Sequence, residues 1–251
     1  SGLTIERGSS VTTQTISVPP RPQSAVQLIL LLVWQDPADR RFVPIAELHH
    51  LDDGRYVFQY LDAARIHAGF FALDEYPDLT RSYASESLPV FFSNRVMSTD
   101  RPSYDRYLHW LGLDDAAVSE VPLEVLARTG GGRATDTFHI VDVPLKGERE
   151  FASRFFVSGI RHVEDPDGVL AKVHVGDRLE LRREPENEMN SKAVIIDVEN
   201  GVQLGWVPDW LCGEVTDLLE AGWAIEMTAE QVNMDAPAHT RVLCRIAAQR
   251  I

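Results

Sequence analysis

Past Ser153 the chain settles into one repeated pattern, and that pattern restricts the fold more than any other feature. Short apolar runs follow one another with polar or glycine-bearing turns between them: "FFVSGIRHV", "DRLELRRE", "AVIIDVE", "VQLGWVP", "AIEMTAEQV" and "RVLCRIAAQ". Runs of this length, rich in β-branched and aromatic residues, read as strands. One helical pattern interrupts them. "DWLCGEVTDLLEAG" spaces Leu211, Val215, Leu218 and Leu219 along one stripe, offers Asp209 as N-cap and stops at Gly222. Many short strands with a single helix predict a small closed or half-closed barrel.

The first part of the chain reads differently. Residues 1–24 are rich in Ser, Thr and Pro and are expected to form a flexible arm. The leading Ser1-Gly2 reads as a scar of tag removal and is set aside, and no basic-then-apolar order marks a signal peptide. "AVQLILLLVW" at 25–34 is the longest apolar run. At half of the ~20 residues that a membrane helix needs, it is a buried strand or a short core helix. Asp53-Gly54 lies between apolar runs and signals a hairpin, so residues 25–61 are expected to form a small antiparallel sheet. Three helices should follow: "LDAARIHAG", "TDRPSYDRYLHWLGL" (Thr99 or Asp100 as N-cap, Pro102 in the first turn, Gly112 as stop) and "PLEVLARTGGG". "TDTFHIVDVPL" alternates like a strand, whereas "LKGEREFASR" is charged and aperiodic. The expected class is therefore α+β: an arm at 1–24, a domain of small antiparallel sheet and helices at 25–144, a linker at 145–152 and a β-barrel domain with one helix at 153–251.

Charge narrows the range of partners. The formal net charge is -14, with 10 basic and 17 acidic residues in 151–251 and 14 and 21 in 1–150. Phosphate binding draws on Lys and Arg, so any nucleic-acid site must be a local patch. Cys212 and Cys244 sit among apolar neighbours and read as reduced core residues of a cytoplasmic protein. The scattered histidines lack metal-site spacing, "TGGGR" lacks the Lys-Ser/Thr of a phosphate loop, and no nucleophile elbow occurs. The expectation is a protein without cofactor, metal or catalytic residues.

One stretch stands out, "LRREPENEMNSKAVIID" at 181–197, where a strand breaks into an acidic, Pro-bearing loop with two asparagines. It is either an ordinary turn, with Asn187 and Asn190 bonding their own backbone, or a polar rim that holds a ligand. Alternation puts Arg183 on the side of Leu179 and Leu181 and Arg182 on the other. Trp206 and Trp210, on either side of Pro208, read as core and rim packing.

The order of these elements resembles the HIRAN domain over roughly residues 153–232. The residues that carry the resemblance are Gly159 and Arg161, Gly176-Asp177, Arg183-Glu184-Pro185 with Asn187, Ala193, Gly205 and Val207-Pro208. The stretch "GRYVFQYLDAARIHAGFFALDEYPDLTRSYASESLPVFFSNRV" is similar to the N-terminal subdomain of HipA-type toxin kinases, through Phe58, Tyr60, Leu61 and "SESLP" at 85–89, but no kinase body accompanies it. The HIRAN resemblance implies a barrel that grips the 3′ end of single-stranded DNA, stacking bases on aromatic rings and holding phosphates with Arg. It places Arg161 on phosphate and Glu186, Asn187 and Asn190 along the end pocket, with His162, Arg183 and Lys192 completing a groove. His162 and Met189 stand where the family has aromatic residues, Asn190 where it has an acid and Glu186 where it favours a neutral amide. Such a groove requires Arg161 and Arg183 at one mouth. The expected partner is single-stranded or 3′-ended DNA, in repair or defence, with no membrane. The alternative is an antitoxin-like subunit that docks on a HipA-like kinase without binding DNA, which the acidic surface favours.

Overall fold

The computed structural model describes residues 26–133, 135–143 and 145–251. The expected arm at 1–24 lies outside the described residues. Among those residues no helix is long and apolar enough to cross a membrane.

The apolar run at 25–34 forms a strand. β1 (Val26–Gln35), β2 (Phe42–Leu51) and β3 (Tyr56–Tyr60) make the antiparallel meander expected for 25–61. Gly54, with φ of 83°, turns the β2–β3 hairpin as the Asp-Gly pair predicts. α1 (Asp62–Ile66) follows, then β4 (Ser82–Ser85) and α2 (Val90–Ser93), a turn of helix that the sequence reading omits. The next two helices are α3 (Tyr104–Trp110) and α4 (Val121–Thr129), and β5 (Phe138–Asp142) completes a five-stranded sheet in the order β4-β3-β2-β1-β5. α3 starts later than expected. Arg101 and Tyr104 bond back three residues, to Ser98 and Arg101, so Thr99, Asp100 and Pro102 lie in turns before the helix and Ser103 takes the N-cap place. α4 ends where expected, at Gly130 in the left-handed region.

The two faces of this sheet differ. Leu30, Leu32, Leu48 and Phe58 are buried under the helices and loops, where Phe58 stacks on Tyr76 at 4.1 Å between ring centres. The Tyr60 hydroxyl donates to the Tyr76 carbonyl and accepts from the Leu73 amide, each at 2.9 Å. The register aligns Val141, Leu31, Glu47, Gln59 and Ser82 in one cross-strand row on the opposite face, and His139, two residues from Val141, shares that face.

The second sheet has seven strands: β6 (Leu145–Lys146), β7 (Glu150–Phe156), β8 (Arg178–Arg183), β9 (Val194–Val198), β10 (Val202–Trp206), β11 (Ala224–Val232) and β12 (Val242–Gln249). Between them lie α5 (Pro166–Leu170), also absent from the sequence reading, and α6 (Asp209–Glu220). The spatial order is β10-β9-β8-β11-β12-β7-β6, with antiparallel pairing throughout.

Three expectations change here. First, residues 145–152 are not an irregular linker: β6 and the start of β7 form a hairpin, with the charged Lys-Gly-Glu-Arg stretch around its turn and Phe151 buried. Secondly, no closed barrel forms among the described residues. The chain beyond β7 meets β10 at a single bridge, Ser158 with Trp206, whose two amide-to-carbonyl bonds are each 2.9 Å. Gly159, with φ of 72°, then turns the chain away, so the curled sheet is joined at one point only. Thirdly, Asp209 does not cap α6. Pro208 holds that place and Asp209 begins the helix.

The domains share a core. Leu111, Leu113, Val121 and Val125 from the α3–α4 region bury against Phe156 and Leu243 of the second sheet. Beside this core the Asn233 amide, itself 4% exposed, donates to the carbonyls of Trp110 (2.6 Å) and Thr240 (2.8 Å). The Trp110 indole donates to Asp235, and Gln231 donates to the His109 carbonyl. An apolar patch ringed by directed hydrogen bonds fixes one relative orientation of the domains.

A candidate nucleic-acid interface

Gly159 and Gly205 build the site's frame. A Cβ on Gly159 would fall 2.6 Å from the Trp206 ring, and one on Gly205 would fall 2.5 Å from the Ser158 carbonyl oxygen. Only glycine lets Trp206 lie over the turn while Ser158 pairs with it. After Gly159, residues Ile160–His162 form a 3₁₀ turn rather than the expected strand. Ile160 is buried as its anchor, and Arg161 and His162 are exposed. Arg161 Nε donates to His162 Nε2 at 3.0 Å. No carboxylate among the described residues lies within ion-pair distance of Arg161.

Arg161 and His162 line a cleft of about 550 Å³ between the two domains. Asp209 and Trp210, at the start of α6, and the exposed His239 share their side of it. The opposite wall comes from the first domain, where Phe42 and His139 meet edge to face at 5.3 Å. Burial pushes the His139 imidazole below its ordinary value. The carboxylates of Asp136 and Asp209 oppose that shift, and Arg95 reinforces it. His139 and Asp209 both line this cleft.

The 184–192 loop is built differently. The Asn187 side-chain oxygen accepts from the amides of Met189 (3.0 Å) and Asn190 (3.1 Å), and its NH₂ donates to Glu184 at 2.7 Å. The same Glu184 oxygen accepts from the Trp206 indole at 2.9 Å. The Asn190 oxygen accepts from the Lys192 amide at 2.9 Å, while its NH₂ reaches Asp209 (3.3 Å) and Cys212 Sγ (3.0 Å). These are the self-bonded asparagines of an ordinary turn. Glu186 and Met189 are exposed on its outside. The cations are also engaged: Lys192 with Asp217 at 3.3 Å, Arg183 with Glu220 at 2.6 Å, and Arg182 with the buried Asp197 through two bonds of 2.8 and 3.1 Å. Burial raises the Cys212 thiol, which lies free beneath the loop, as Cys244 lies free in the core.

The predicted residues therefore separate into two groups. Arg161 and His162 stand together at the cleft. Asn187 and Asn190 form the turn, joined to the cleft through Asp209. Arg183 and Lys192 lie over the later part of α6. The expectation that Arg161 and Arg183 share one mouth is not met. The cleft is at the Asp209 end of α6 and Arg183 is tied to Glu220 at the other, about 16 Å along a helix that rises about 1.5 Å per residue. The reason is parity: Arg183 pairs with Val194 on the α6 side of the sheet, and Arg182 pairs with Ile195 on the other. The sequence reading missed His139, Phe42 and His239. They come from segments far apart in the chain, and only the interdomain core brings them to Arg161.

Residues 151–249 match the HIRAN domain model, and the chain carries a HIRAN domain there. Among solved structures, a protein from Lactobacillus plantarum is similar at 17% identity and a TM-score of 0.35, covering 40% of this chain and 99% of its own. The HIRAN domain of human HLTF is similar at 19% identity and a TM-score of 0.30, covering 39% of this chain and 72% of its own. No curated protein matches the chain.

Proposed function

We propose that this protein binds nucleic acid without catalysing a reaction on it, and that the ligand is single-stranded DNA or a DNA end held at the Arg161 cleft. One observation carries the proposal: within a matched HIRAN domain, Arg161 and His162 lie exposed on a cleft wall and, among the described residues, no carboxylate lies within ion-pair distance of the guanidinium. A guanidinium in that position suits a phosphate, and the rings of His162 and Trp210 suit a base. The paired arginines and the self-bonded loop serve the frame. At a net charge of -14 the rest of the surface repels DNA, so attraction is confined to the cleft and falls as salt rises.

The test is fluorescence anisotropy of a labelled single strand at low salt. We expect binding at micromolar strength, lost in Arg161→Ala and kept in Arg183→Ala. Equal loss in both variants would return the site to the loop.

A protein-docking role is the second reading. It is favoured by the same net charge and by Ile66 and Phe71, 81% and 83% exposed around the end of α1. On that reading the chain is a subunit that docks on a HipA-like kinase, and it co-purifies with its partner while binding no DNA.

A further inference from the structure

The cleft that holds Arg161 is only half made by the HIRAN domain. His139 and Phe42 belong to the first sheet, on β5 and β2, and they form the wall opposite Arg161, His162 and Trp210. The gap between these walls is set rather than incidental. The shared apolar core and the bonds from Asn233 to Trp110 and from Gln231 to His109 lock the domains together beside it. From these observations we infer that the first domain supplies a working part of the binding site: His139 and Phe42 contact the same nucleotide unit that Arg161 holds. The inference rests on the nucleic-acid reading and extends it to a composite site.

The chemistry of the two walls supports one class of ligand, a single nucleotide unit with its phosphate, either free or at the end of a strand. On the HIRAN side stand a guanidinium and two exposed imidazoles, His162 and His239, all suited to phosphate oxygens. Facing them stand the Phe42 ring and the His139 imidazole, half-buried and packed edge to face, aromatic groups of the kind on which a base stacks. Asp209 adds an acceptor for a base amino group or a sugar hydroxyl. At about 550 Å³ the cleft lies within the roughly 300–1,000 Å³ usual for small-ligand sites. That volume is of the size a single nucleotide unit fills.

The test uses the full chain, in two arms. In the first, a fluorescein-labelled single-stranded oligonucleotide is titrated into the native protein and four variants, with Arg161→Ala as the variant that removes binding. His139→Ala should weaken binding roughly tenfold, about the effect of one charge-assisted or stacking contact. Phe42→Ala should weaken it to a similar degree. His174→Ala, an exposed histidine beside Asp177 that is not part of the cleft lining, should change binding less than about twofold. In the second arm, the histidine ring signals of the native protein are followed by NMR as the oligonucleotide, deoxyadenosine monophosphate or inorganic phosphate is added. His139 and His162 should move together, which needs no variant to fold.

The outcomes separate the two claims. If Arg161→Ala abolishes binding while His139→Ala matches His174→Ala and the His139 signal stays still, the composite wall is overturned and the nucleic-acid reading stands. If the oligonucleotide does not bind but the mononucleotide moves both rings, the composite site stands for a free nucleotide and the polymer reading falls. Binding of none of the three ligands overturns both.

Discussion

The 184–192 loop and the Arg161 turn are close in space and opposite in construction. The loop directs its polar atoms inward: Asn187 and Asn190 bond the loop's own amides, and Glu184 ties Asn187 to Trp206. The turn directs its polar groups outward: Ile160 alone is buried, and Arg161 and His162 stand on a cleft wall with only each other as side-chain partners among the described residues. A buried polar group must be satisfied inside the protein, and a group so satisfied has little left for a ligand. Polar composition alone therefore does not mark a binding site. What distinguishes one is donors and acceptors that the fold leaves unused.

That contrast can be broken most forcefully on the loop side. Arg182→Met would strand the Asp197 carboxylate, 4% exposed and now doubly bonded, and should destabilise the fold by about 3 kcal/mol in urea titration. DNA binding should be unchanged where the variant remains folded. On the cleft side the order reverses: Arg161→Ala should leave the melting midpoint within a degree or two and weaken single-strand binding by roughly 10- to 100-fold, as expected for a lost charged hydrogen bond. Asn187→Ala should cost about 1 kcal/mol of stability, because two loop amides and Glu184 lose a partner, with less than a twofold effect on binding. Smaller still, Arg183→Ala and Lys192→Ala break half-exposed ion pairs and should each shift stability by no more than about 0.5 kcal/mol.

The last expectation concerns pH. His139 is held below its ordinary 6.5 by burial, so the unfolded chain takes up this proton at a higher pH than the folded chain does. Its contribution to stability is complete above pH 6.5 and is lost as pH falls from there toward the lower native value. A shallow decline in melting midpoint across that window should flatten in His139→Phe.

Much of the scaffold was legible in the sequence because its signals are local. The Asp53-Gly54 hairpin, the α6 stripe from Leu211 to Leu219 and the runs of the C-terminal strands depend on residues close in the chain, and they appear as read except at Ile160–His162, a 3₁₀ turn where a strand was expected. The charged stretch at 145–152 misled because only half of its pairing is local: β6 pairs with β7 in a hairpin, and β7 finds its other partner, β12, almost a hundred residues later. The site was legible by half. Gly159, Gly205 and Arg161 were marked by the HIRAN resemblance, and the close approaches at both glycines show why no other residue fits. The pairing of Arg183 with Glu220 could not be foreseen, since it depends on where the end of α6 falls against β8. Nor could the wall of His139 and Phe42, whose position is set by the Phe156–Leu243 contact with α3 and α4.

The central claim is that recognition resides in the cleft and not in the loop, and a low-salt anisotropy titration comparing Arg161→Ala with Arg183→Ala tests it most directly. The account predicts that a labelled single strand binds the native protein and Arg183→Ala alike and is lost from Arg161→Ala. Undiminished binding in Arg161→Ala would contradict it.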